Sequence, residues 1–116
     1  MEFIFPKPWC PIPVLSLLTK MRILNITFSI DNGAESSWVM YVKKNILSDD
    51  TYHTTLLRIH SDESTHPSYG VQFNFDTIEK LNVFKAQQLP LIYAALHKEF
   101  PNKWVMFETE LEAILP

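Results

Sequence analysis

The run His60-Ser61-Asp62-Glu63-Ser64-Thr65-His66 sets two imidazoles on either side of two carboxylates. That is a donor set suited to zinc, nickel or iron. His60, Asp62 and His66 would be the ligands, but the run lacks the helical spacing of an HExxH site and has the composition of a polar hairpin loop. No metal or other cofactor is expected. His60 could instead serve as an acid or base near neutral pH, with Arg58 binding an anionic substrate, Asn74 or Gln72 orienting it and Glu108 steering the imidazole. The plainer reading is that an alternating strand must turn polar side chains outward. Nucleophilic catalysis finds less support, since no G-x-S-x-G is present and the lone Cys10 lies among prolines. Two glycines, Gly33 and Gly70, cannot build a phosphate-cradling loop.

These residues need strands and helices to place them. Leu24, Ile26, Phe28 and Ile30 alternate with Asn25, Thr27 and Ser29, which predicts a first strand over 23–30. Asp31-Asn32-Gly33 punctuates, either as a ligand-binding turn of a regulatory amino-acid-binding module or, preferably, as a helix cap. Trp38, Val42 and Ile46 recur at helical spacing, predicting a helix over 34–47. A second strand follows over 54–60, with Leu57 and Ile59 toward the core and Arg58 and His60 away from it. The third strand, 69–75, puts Tyr69, Val71, Phe73 and Phe75 on one face. Asp76, with Glu79 three residues on, reads as the cap of a helix reaching Phe100. Pro90 should kink or split that helix near Gln88. The last strand spans 103–109, and a short helix is expected over 110–115.

The order β-α-β-β-α-β predicts an α+β, ferredoxin-like sandwich: a four-stranded antiparallel sheet with two helices on one face. The other face would carry Asn25, Thr27, Ser29, Arg58, His60, Gln72, Asn74 and Glu108, mixed with Ile23, Leu56, Trp104 and Met106. Domains of this shape pair through such faces, so a homodimer closing a dimeric α/β barrel is expected, with Asn25, Thr27, Arg58, His60, Gln72, Asn74, Trp104 and Glu108 as its ligand or dimer surface.

Bulk composition narrows the partners. The chain has 116 residues, is 47% hydrophobic and carries a net charge of −3. It is long enough for a packed core without disulfides, and its acidic balance offers no footprint for nucleic acid or anionic lipid. Val71 stands where the RNA-recognition signature needs a second stacking ring, which also argues against nucleic acid. No apolar run is long enough to span a bilayer. Residues 1–20 hold four prolines and no small-residue cleavage site, so they are expected to be a poorly ordered extension, or sequence upstream of a start at Met21, rather than a signal peptide. A cytoplasmic domain over 21–116 is the expectation.

Several segments carry a family likeness: the strand MRILNITFSID, Trp38-Val39-Met40 in the following helix, Tyr69-Gly70-Val71-Gln72-Phe73, Leu89-Pro90 near the middle of the second helix, and Trp104-Val105-Met106-Phe107-Glu108-Thr109 at the end. From Met21 onward the chain resembles a family of small uncharacterised bacterial proteins, a domain of unknown function. It departs from that pattern in Lys43-Lys44-Asn45-Ile46-Leu47, which lacks a frequent His-Ile-Pro, and in Phe107-Glu108-Thr109, which replaces Phe-Arg-Thr. The resemblance implies a ferredoxin-like domain and carries no catalytic residues. The expected function is a non-catalytic binding or interaction module acting as a homodimer. The alternative is a cofactor-free enzyme working on a small molecule in the cavity between two sheets.

Overall fold

The computed structural model describes residues 21–60 and 66–114. The elements run β1 (Arg22–Ile30), a 3-10 turn (Asn32–Ala34), α1 (Glu35–Asn45), a second 3-10 turn (Asp50–Tyr52), β2 (Thr55–Ile59), β3 (Ser68–Phe75), α2 (Ile78–Gln87), α3 (Leu89–Glu99) and β4 (Trp104–Glu112). The four strands form one antiparallel sheet in the order β2-β3-β1-β4. This α+β fold follows the ferredoxin-like element order, with three helices in place of two.

The central strands behave as their period-two alternation requires. Leu24, Ile26, Phe28 and Ile30 of β1 are buried, as are Tyr69, Val71, Phe73 and Phe75 of β3. They meet Trp38 and Val42 of α1, Leu81 and Phe84 of α2, and Leu89 and Leu96 of α3. Aromatic rings knit this layer, with Phe28 and Trp38 centred 5.1 Å apart and Phe73 and Phe84 4.7 Å apart. Tilted and edge-on pairs of this kind stabilise beyond the area they bury.

The long second helix divides at Gln88, which closes α2 and opens α3. Pro90 lies in the first turn of α3, where a missing N–H leaves no helical bond unmade. The cap of α2 is Thr77 rather than Asp76: its hydroxyl accepts from the Lys80 amide at 3.2 Å. Asp76 pairs instead with the Lys80 ammonium at 2.9 Å. The chain over 110–112 continues β4, contrary to the expected terminal helix, because Arg22 of β1 is still in register with Glu112.

Both edge strands face opposite to expectation. In β2, Leu56 and Arg58 lie beside Val71 and Tyr69 on the helix-bearing side, and Leu57 and Ile59 beside Gly70 and Ser68 on the open side. In β4, Trp104, Met106 and Glu108 stand in register with the buried Ile30, Phe28 and Ile26, so they too face the helices. A one-residue shift in reading a strand inverts every side chain on it. The inward anchors are specific. The Trp104 indole N–H donates to the Leu96 carbonyl at 3.2 Å, and its ring stacks on Tyr93.

Candidate functional site

The open face of the sheet is assembled in cross-strand rows. One row reads Leu57, Gly70, Thr27, Phe107; the next reads Ile59, Ser68, Ser29, Val105. On the other side lie Thr55, Gln72, Asn25, Thr109, and then Asn74, Ile23, Leu111. Large apolar side chains therefore line both edges, while the middle holds small and amide side chains and, at one end, Ile23. No residue in these rows carries a charge. The charged strand residues Arg22, Arg58, Glu108, Glu110 and Glu112 all fall on the helix-bearing parity.

The polar middle satisfies itself. The Asn25 amide donates to the Thr27 hydroxyl at 3.1 Å and accepts from the Gln72 amide at 3.3 Å. Asn74 donates to the His53 carbonyl at 2.8 Å. Gly70 makes this arrangement fit: a Cβ there would stand 3.1 Å from Asn25 Oδ1. Amides paired in this way can be covered at little desolvation cost. Among the described residues the apolar rails have no such cover. Val105 is 69% exposed and Phe107 62%, and Leu57, Ile59 and Leu111 are also exposed.

Of the sequence-predicted surface residues, Asn25, Thr27, Gln72 and Asn74 do share the open face. Arg58, Trp104 and Glu108 do not, being on the helix-bearing side and on opposite edges of the sheet. His60 follows the end of β2. The sheet thus does not gather His60, Arg58 and Glu108 into one constellation. Asp62 lies outside the described residues, and with it the His60-Asp62-His66 set. Among the described residues no three His, Cys, Asp or Glu side chains gather as a metal site.

Two polar clusters border the helix layer instead. Glu35, in the first turn of α1, accepts from the Tyr69 hydroxyl at 2.6 Å and from Arg58 at 3.1 Å. The Arg58 guanidinium sits 5.0 Å from the Tyr69 ring centre. The tyrosine's hydrogen bond, then Arg58, hold the Glu35 carboxyl below its ordinary range. Burial, then Glu35, push the phenol up. On the opposite edge Tyr93 donates to Glu108 at 2.7 Å, and burial, followed by that bond, pushes its phenol up strongly. Lys85 bonds Glu110, which raises its ammonium. Each shift drives a group away from neutral pH, the reverse of what a general acid or base needs. These clusters fasten helices to edge strands.

Residues 21–114 match the family model described as Domain of unknown function (DUF4286). The chain belongs to this family. No curated protein and no solved structure is significantly similar to it. The DUF4286 match begins one residue before β1 and runs just past β4, so it takes in both faces of the sheet. Among the described residues of this DUF4286 chain, no helix is long and apolar enough to cross a membrane.

Sequence reading missed the rails Leu57, Ile59, Val105, Phe107 and Leu111. Their signal was present. In Val105-Met106-Phe107-Glu108-Thr109-Glu110-Leu111-Glu112 three acids occupy one parity, and apolar residues and a threonine the other. That alternation marks a face destined for burial.

Proposed function

We propose that this chain is a non-catalytic interaction module that acts as a homodimer, two copies packing open face to open face as a dimeric α/β barrel. The carrying observation is an uncharged face with apolar rails on the edge strands and an internally hydrogen-bonded polar middle. Depletion of charge is a compositional mark of an interface centre. Two copies related by a two-fold axis parallel to the sheets place rail on rail and middle on middle. That self-complementarity is what an isologous contact requires. Four strands spaced by about 4.8 Å, with rows spanning about eight residues, give a face of about 19 by 26 Å, or roughly 1,000 Å2 for two copies. Specific interfaces begin at about this size.

Light scattering on three proteins tests the reading. The wild-type chain should have twice the mass of 13.5 kDa at micromolar concentration. Phe107→Glu should be monomeric with an unchanged circular dichroism spectrum. Met40→Glu, which charges an exposed methionine on α1, should remain dimeric. A monomeric wild type contradicts the proposal. So does a dimer that survives Phe107→Glu, or a monomer that becomes dimeric once residues 1–20 are removed, since that segment would then be what covers the face.

A further inference from the structure

The outer surface of the helix layer carries a groove of its own, between α1 and α3. It has two parts. One, of about 790 Å3, is lined by Met40, Tyr41, Lys43, Lys44 and Phe100 among others. The other, of about 160 Å3, is lined by Tyr41, Ile46, Leu91, Ile92 and Ala95 among others. Tyr41 belongs to both, so they form one channel. Ser37 and Phe100 line its first part and Ile46 and Leu91 its second, so the two helices border it in opposite directions. From Leu91 to Phe100 the chain rises about 14 Å, or about two and a half helical turns.

The channel is apolar and open to solvent. Met40 on α1 is 70% exposed and Leu91 on α3 is 65% exposed. The Tyr41 and Phe100 rings stand edge-on with centres 5.7 Å apart, and both are only partly buried against the core. A lone exposed leucine or methionine is ordinary, but these residues share one channel, and apolar surface rimmed by polar groups marks an interaction site. The rim charge is uneven. Lys43 and Lys44, in the last turn of α1, are exposed, and neither ammonium makes a hydrogen bond or ion pair among the described residues. Glu99, at the end of α3, is the one acid among the described residues that line the channel. In a chain whose net charge is −3, this channel is net positive.

We propose that this channel binds a partner helix of about three turns, apolar on the side turned into it and acidic on the flank turned toward Lys43 and Lys44. An amphipathic helix in a groove sets its anchors at i, i+3 or i+4 and i+7, a span of about 11 Å that the channel accommodates. Two unpaired ammonium groups favour carboxylates on the partner and oppose a basic helix by like-charge repulsion. Glu99 opposes acids on the α3 bank, so the partner's carboxylates belong on one flank only. The channel is apart from the open face of the sheet, so partner binding and self-association are separate.

Amide chemical-shift titrations of the full chain with two synthetic peptides provide the test, each of about 16 residues, a length at which a helix begins to hold in water. One carries leucine at the anchor positions and glutamate on one flank; the other has lysine in place of each glutamate. The glutamate peptide should give saturable shifts confined to residues 37–47 and 88–100. The lysine peptide should bind on the order of tenfold more weakly. Lys43→Glu combined with Lys44→Glu should reverse that preference. Leu91→Glu should abolish binding of the glutamate peptide and leave the mass in light scattering unchanged. Equal affinity for both peptides, shifts centred on the open face, no shifts at all, or a preference that survives the double substitution would each overturn the proposal. So would a mass that falls in Leu91→Glu, since a second copy would then be the occupant. Binding that appears only once residues 1–20 are removed would overturn it too, since that segment would then be what covers the channel.

Discussion

On the helix-bearing face, Trp38 is fully buried beside Phe28 and Tyr69, and every charged strand residue sits at the margin with a partner in reach. On the open face, Phe107 and Val105 stand largely in solvent and none of the described strand residues carries a charge. A face adapted to water would reverse that pattern, with charges outward and phenylalanine inward. The difference teaches that, among the described residues, hydrophobic demand is met on one side of the sheet and left unmet on the other. In the dimer we propose, a second copy supplies the missing side.

That contrast can be broken from either face. Trp38→Ala removes the largest fully buried side chain and should cost about 3–5 kcal/mol in denaturant unfolding, at any protein concentration. Phe107→Glu should act differently. It should lower apparent stability by about 2 kcal/mol, the scale of burying one large side chain. It should also abolish the dependence of Tm on protein concentration that a dimer shows. If Phe107→Glu leaves both unchanged, the open face is solvent-facing in solution and the contrast fails.

Smaller effects sharpen the helix side. Thr77→Ala removes the hydroxyl that caps α2 and should cost about 1 kcal/mol without altering mass. Glu35→Gln probes the tie between α1 and the β2–β3 edge through pH. The folded-state pKa of Glu35 is lowered from 4.5, chiefly by the Tyr69 hydrogen bond. Its contribution is therefore present above the unfolded pKa and lost as pH falls through the lower folded value. The Tm difference between wild type and Glu35→Gln should be steady near neutral pH and shrink in acid. A difference that grows in acid would reverse the assigned sign.

The central half of the sheet was legible in the sequence, and its edges were not. β1 and β3 have neighbours on both sides and one buried parity, so Leu24-to-Ile30 and Tyr69-to-Phe75 could be read directly. In β2 apolar residues occupy both parities, Leu56 against Leu57 and Ile59, and alternation cannot choose between them. In β4 the alternation is regular, but it does not say which parity the helices cover. Trp104 and Met106 face inward because an indole N–H finds the Leu96 carbonyl, a contact between residues on different elements. The uncharged parity of β4, Val105, Phe107, Thr109 and Leu111, faces out, opposite to Trp104 and Met106. The same cause hid the candidate surface, since Arg58 and Glu108 were expected on the face that Leu57 and Phe107 occupy.

The most direct measurement is an isotope-filtered NOE spectrum of a sample mixing labelled and unlabelled chains, which reports only contacts between copies. Open-face packing requires intermolecular NOEs among the Leu57, Ile59, Val105 and Leu111 methyls and the Phe107 ring. Intermolecular NOEs that arise instead from Met40 or Leu91, on the helix side, would contradict it, as would none at concentrations well above micromolar.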